Sequence, residues 1–108
     1  MNEIHALDRL FATIAARKAG GDTDQSYTAK LLSQGVEKCA KKFGEEAVET
    51  VLASVSGDKQ HLAAESADVL YHLLVLWAAA GITPDDVYAV LRAREAQSGL
   101  AEKASRKS

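Results

Sequence analysis

Between Leu62 and Ile82 the chain holds only two formally charged residues, Glu65 and Asp68, three positions apart in an otherwise apolar run. No other stretch constrains the fold as much. Ala and Leu dominate it and no Pro or Gly interrupts it before Gly81, so a helix is expected from Lys59 to roughly Ala80. Residues 69–82 are apolar nearly all round, broken by His72 and Gly81, and such a helix needs cover on most of its sides. A chain of 108 residues has few other helices to provide that cover. A second copy is therefore expected to complete the core, giving a homodimer.

The other segments read as shorter amphipathic helices. Ile4, Leu7, Leu10, Phe11 and Ile14 recur at helical spacing over residues 2–18, and Gly20 and Gly21 end that helix. Residues 20–26 are expected as a flexible loop. A short helix follows over residues 28–34, and Gly35 breaks it. From 36 to 55, Val36, Ala40, Phe43, Ala47 and Val51 form one apolar side, with Lys38, Lys41, Lys42, Glu45 and Glu49 on the other and Glu46 near the border. Ser56, Gly57 and Asp58 make a turn, with Asp58 as the next cap. Thr83, Pro84, Asp85 and Asp86 open a last helix that turns Val87, Val90 and Leu91 inward and ends near Gln97. Residues 1–97 are thus expected as one all-α domain, a bundle of four to five helices. Residues 98–108 are expected as a flexible tail.

Composition excludes several functions. Net charge is −2 and no basic block stands out, which argues against nucleic-acid binding. The apolar run of 69–82 falls short of the roughly 20 residues that cross a bilayer, so no membrane association is expected. Cys39 is the only cysteine, so no intrachain disulfide can form and a cytoplasmic setting is the default.

The chemistry lies in the acids. Glu65 and Asp68 share one helix face with His72, beside Val69, Val75 and Leu76, so both carboxylates are expected to be partly buried. Like charges in a dry setting shift their pKa or need a cation. The preceding helix offers Glu46 and Glu49 at the same spacing, with Glu45 adjacent. Folding the hairpin would gather four acids. Oxygen ligands alone suit a hard divalent cation such as Mg2+, which also binds phosphates. The chain has no Cys and His set for zinc and no Glu-x-x-His pair for a di-iron bundle.

Three segments carry a resemblance: SYTAKL at 26–31, GVEKCAKKFGEEAVE at 35–49 and ESADVLYHLLVLW at 65–77. With GITPDDV and LRAR later in the chain, they resemble the phosphoribosyl-ATP pyrophosphatases of histidine biosynthesis, within the wider MazG-like all-α nucleotide pyrophosphohydrolases. The wider group shares only the EExxE and ExxD elements. The resemblance implies a dimeric, Mg2+-dependent enzyme that hydrolyses phosphoribosyl-ATP to phosphoribosyl-AMP and pyrophosphate. It implies Glu46, Glu49, Glu65 and Asp68 as metal ligands, with Glu45 as a further one. Glu49, or else Glu46, would take the proton of the attacking water. Lys38, Lys41 and Lys42 would meet outlying phosphate oxygens, and Ser26 and Thr28 would touch substrate. The competing reading is a housekeeping pyrophosphatase of deoxynucleoside triphosphates with the same fold and metal site. A helical adaptor that uses the acids at a protein interface is the non-enzymatic alternative.

Overall fold

The computed structural model describes residues 5–96, and within them the protein is all helical. Five helices follow in order: α1 (Ala6–Gly20), α2 (Tyr27–Ser33), α3 (Val36–Ser56), α4 (Lys59–Ala80) and α5 (Pro84–Glu95). α5 ends at Glu95, close to the end expected near Gln97; the tail of 98–108 and positions 2–4 of the expected first helix lie outside the described residues.

Local chemistry explains the boundaries. The His5 ring Nδ1 accepts from the Leu7 amide at 3.1 Å and caps α1. Ser26 caps α2 and Asp58 caps α4. Thr83 and Asp86 exchange bonds at the start of α5, satisfying two amides that the helix itself leaves unbonded. Gly57 closes α3 in the left-handed conformation, with φ 82°, a backbone that side chains resist. The segment between α1 and α2 is an ordered turn rather than the flexible loop expected. Asp22 accepts through its carbonyl from Gln25 and Ser26 and through its side chain from Asp24. Gly21 is needed there for closeness. A Cβ at that position would stand 2.6 Å from the Arg17 carbonyl and 2.8 Å from the Ala29 Cβ.

α3 and α4 form an antiparallel hairpin with the most extensive contact in the molecule, and α1 and α2 pack across one end of it. The core sits at that end: Ile14 of α1, Leu31 of α2, Cys39 of α3, and Leu74, Val75 and Ala78 of α4. Leu10, Phe11 and Trp77 pack around it. At the other end of the hairpin the helices are more open, and Ala53 is the buried residue there.

Three expectations are corrected. The side of α3 that faces α4 carries Cys39, Phe43, Glu46, Thr50 and Ala53, while Val36, Ala40 and Val51 are exposed. Small residues at 39, 50 and 53 let the two helices approach, which larger valines would prevent. Asp68 is exposed rather than partly buried, because it lies before the buried stretch of α4 that begins at His72. Val90 and Leu91 do not turn inward, each being 49% exposed. α5 is held to the body largely by its start, where the Tyr88 hydroxyl donates to Asp8 at 3.1 Å.

By length and hydropathy α4 is long and apolar enough to cross a membrane, a wider span than the 69–82 run considered above. Its middle nevertheless carries Glu65, Asp68 and His72, and its apolar residues Leu74, Val75 and Ala78 are enclosed by α1, α2 and α3. Charges in a spanning segment are costly, and this helix has a protein core to fill instead.

Candidate metal centre

Halfway along the hairpin, where the packed end gives way to the open end, α3 contributes Glu46 and α4 contributes Glu65 and Asp68. One carboxylate oxygen from each lies within 4.8 Å of the other two. The side chains of Glu46 and Glu65 are 23% and 18% exposed, and Asp68 stands at the rim. Thr50 fixes the register of the two helices at this level. Its hydroxyl lies 2.9 Å from the Glu46 carbonyl and 3.1 Å from the Glu65 carbonyl, shared between them.

The electrostatics of this group are unfavourable as they stand. Two unit charges about 4 Å apart repel by roughly 1 to 4 kcal/mol, depending on the effective dielectric. Among the described residues no lysine or arginine bridges the three acids. The Glu65 Oε2 atom is buried without a hydrogen-bond partner, and its other oxygen faces His61 Nε2 at 3.6 Å. An orphaned buried carboxylate oxygen calls for an explanation such as an ion. Three convergent anionic oxygens, with an open side at Asp68, fit a hard divalent cation that keeps other positions for water or phosphate.

His72 stands behind the cluster. It is buried, with Nε2 3.8 Å from Glu46 Oε1, and the Tyr71 and Tyr27 rings meet it edge-on at 4.9 and 6.3 Å between centroids. Burial pushes the imidazole below its ordinary value of 6.5 and outweighs the upward pull of Glu46. The ring is therefore neutral at pH 7 and leaves the charge of Glu46 uncancelled.

The remaining residues expected at the site are placed unevenly. Glu49 is exposed and stands outside the three-acid group, one turn further along α3. Glu45 is turned to Lys42, 3.2 Å away. Lys38 and Lys42 line a cleft of about 250 Å³ with Tyr27, Lys30, Leu31 and Gln34; Lys41 does not. The Ser26 hydroxyl accepts from the Ala29 amide at 3.1 Å, and the Thr28 hydroxyl is bonded to that of Tyr71. Each thus has an internal partner.

Sequence reasoning missed Thr50, Lys30, Gln34 and His61. The spacing of Thr50 from Glu46, one turn on the same face, was the available clue; nothing in the sequence announces that α2 folds against α3. Three larger clefts, two of about 470 Å³ beside Ile82 and one of about 420 Å³ between Leu7 and Tyr88, lie away from the three acids. Charge, and not size, locates this site.

Fold and site together define a class: an all-α hairpin protein whose facing helices present a carboxylate cluster able to hold a metal ion. The chain belongs to the family described as phosphoribosyl-ATP pyrophosphohydrolase, whose model matches residues 7–95. It is similar to proteins named phosphoribosyl-ATP pyrophosphatase from several bacteria. That of Parvibaculum lavamentivorans is 64% identical over 100 residues, 93% of this chain and 91% of its own length. Those of Cereibacter sphaeroides and Azospirillum brasilense are 62% and 60% identical, over 93% and 94% of this chain and 96% and 91% of theirs.

Proposed function

We propose that this chain hydrolyses phosphoribosyl-ATP to phosphoribosyl-AMP and pyrophosphate, the second step of L-histidine biosynthesis. The observation that carries the reading is the three-acid group on α3 and α4, set within a chain that the family model matches almost throughout. The extent of that match supports treating residues 1–97 as one domain.

Mg2+ is the cation we assign, held by Glu46, Glu65 and Asp68, with Glu45 a further ligand once it leaves Lys42. When bound, such an ion neutralises phosphate charge and orients the anhydride for in-line attack. The chain's own residues do the rest. Glu49, free of the three-acid group, accepts the proton of the attacking water. Lys42, at the edge of the cluster, donates to phosphate oxygens. Neutral His72 packs behind Glu46 without cancelling its charge, and Thr50 keeps the two helices in register.

The acting unit is proposed to be a homodimer. Val48, Val51, Leu52 and Val55 form an exposed apolar stripe on α3, with Val51 61% exposed, and Leu70 of α4 is exposed too. Contiguous apolar surface of this kind marks an interface. Sedimentation of Val51→Asp should give a monomer where the wild type gives a dimer; a persistent dimer overturns the choice of face. The net charge of −2 supports a small anionic substrate met through a metal rather than a nucleic acid. The single buried thiol, Cys39, suits a reducing cytoplasm.

The deciding experiment is incubation of the purified protein with phosphoribosyl-ATP and Mg2+. Equal amounts of pyrophosphate and phosphoribosyl-AMP are expected, and chelation should stop the reaction. Turnover of dCTP without turnover of phosphoribosyl-ATP would sink the substrate assignment. Thermal melts should rise with Mg2+, since an ion that binds only the folded state stabilises it. Melts that ignore Mg2+ would favour an adaptor role for the acids.

A further inference from the structure

The cleft beside the acid cluster has a composition that the metal does not explain. α2 brings Tyr27, Lys30 and Leu31, Gln34 caps it, and α3 brings Lys38 and Lys42. Gly35, at φ 92°, makes the elbow that turns the two helices toward each other. Leu31 forms a buried floor. The lining includes three lysines and no acid.

Lys42 is held by Glu45, but Lys30 and Lys38 have no carboxylate partner among the described residues. Lys38 and Lys42 also stand one turn apart on one helix, a spacing at which like charges repel. Local costs without an internal return are expected where a ligand supplies the return. At about 250 Å³ the cleft lies below the roughly 300–1,000 Å³ that encloses a whole drug-sized ligand. It has room for one end of a substrate. Tyr27, which walls the cleft, meets His72 edge-on, and His72 lies against Glu46. Cleft and acid cluster are therefore neighbouring parts of one surface.

A substrate with two separate phosphate groups suits that surface. Its triphosphate belongs with the acids and their cation. We propose that Lys30, Gln34 and Lys38, with Lys42 at the inner edge, receive the single phosphate of the phosphoribosyl group. The cleft thereby distinguishes phosphoribosyl-ATP from ATP. This inference rests on the function proposed above. It departs from placing Lys38 on the triphosphate, and it adds Lys30 and Gln34 as specificity residues. Lysine ammonium groups donate to phosphate as point charges, and the Gln34 amide can donate to an oxygen of the phosphate or the sugar.

The test compares two ligands on three proteins: wild type, Lys30→Ala and Lys38→Ala. The ligands are phosphoribosyl-ATP and the analogue with ribosyl in place of phosphoribosyl, which lacks only the single phosphate. KM and kcat are measured for the first, and the inhibition constant against it for the second. Each substitution should raise KM for phosphoribosyl-ATP by about 10- to 100-fold, the loss expected for a charge-assisted hydrogen bond. In each variant kcat should hold and the inhibition constant of the analogue should stay at its wild-type value. An equal loss on both ligands would assign the lysines to the triphosphate and overturn the proposal. No loss on either would overturn it as well. A wild-type protein that leaves phosphoribosyl-ATP intact would instead fail the underlying function, and the wild-type arm reports that separately.

Discussion

The two halves of α4 belong to one uninterrupted helix and do different work. From Tyr71 to Ala79 every residue is buried or half-buried, closed in by α1, α2 and α3. From Lys59 to Leu70 none of the helix's residues is fully buried, and the core residues of α1 and α2 lie at its other end. The acids Glu65 and Asp68 fall in the open half, a turn before the core begins. A rigid helix anchored at one end can carry repelling charges at the other, because the anchored half supplies the stability that the charged half removes. Catalytic groups benefit from such placement, being held by an element whose own packing fixes it.

If the halves are separable in this way, substitutions in each should fail differently. The largest effect belongs to the open half. Asp68→Asn and Glu65→Gln should each lower pyrophosphate release by about 1,000-fold, the equivalent of the several kcal/mol that a metal ion contributes. Their melting temperatures without Mg2+ should hold or rise, since one of three crowded charges is removed. Loss of activity together with unfolding would mean that the acids are structural. In the packed half Leu74 is 1% exposed, and Leu74→Ala should cost about 2–5 kcal/mol in urea unfolding. The folded fraction should keep its affinity for Mg2+. Metal affinity that falls with stability would show that the halves are coupled.

The same division explains what could be read from the sequence. Helix boundaries were legible because Gly20, Gly57, Gly81, Thr83 and Pro84 act locally, through caps and turns. Glu65 and Asp68 were legible because an apolar helix gives them no ordinary setting. The facing side of α3 was not. Its apolar residues permit more than one stripe, and the choice fell to small residues at 39, 50 and 53 that allow close approach. Glu49 was paired with Glu46 by spacing, but with Cys39, Thr50 and Ala53 turned to α4 it lies on the solvent side and leaves the three-acid group. Val90 and Leu91 were expected inside because apolar periodicity marks a face without saying what covers it. Lys30 and Gln34 were beyond reach, since their role depends on how the Gly35 elbow folds α2 against α3.

Thr50 tests the joint between the halves. Its hydroxyl is shared by the carbonyls of Glu46 and Glu65, so it links the acid-bearing turns of both helices. Thr50→Val keeps the shape and removes the bond, which should cost about 1 kcal/mol of stability. The informative readout is Mg2+ affinity. A weaker Kd beyond what the stability loss explains would show that the register of α3 and α4 sets the spacing of the carboxylates. An unchanged Kd would leave Thr50 a structural tie alone.

The smallest expected effect is an alkaline pH dependence centred on the packed half. Burial raises the Tyr71 phenol above its ordinary 10.0, partly offset by the bond from Thr28, and burial raises the Cys39 thiol above 9.0. Near neutrality both groups keep their protons whether folded or unfolded, so they contribute no slope. As pH climbs past those ordinary values the unfolded chain releases protons that the folded chain still holds. The folded state then binds more protons, and stability falls with rising pH. Tyr88, also raised by burial and by its bond to Asp8, adds to the same slope. Urea midpoints should therefore decline in alkali, and buried His72, held below 6.5, should make them fall separately as pH drops through that value. Tyr71→Phe combined with Cys39→Ala should shallow that decline while Asp68→Asn, in the open half, leaves it as it was. An alkaline decline unchanged by the first pair would place its origin outside the core of α4.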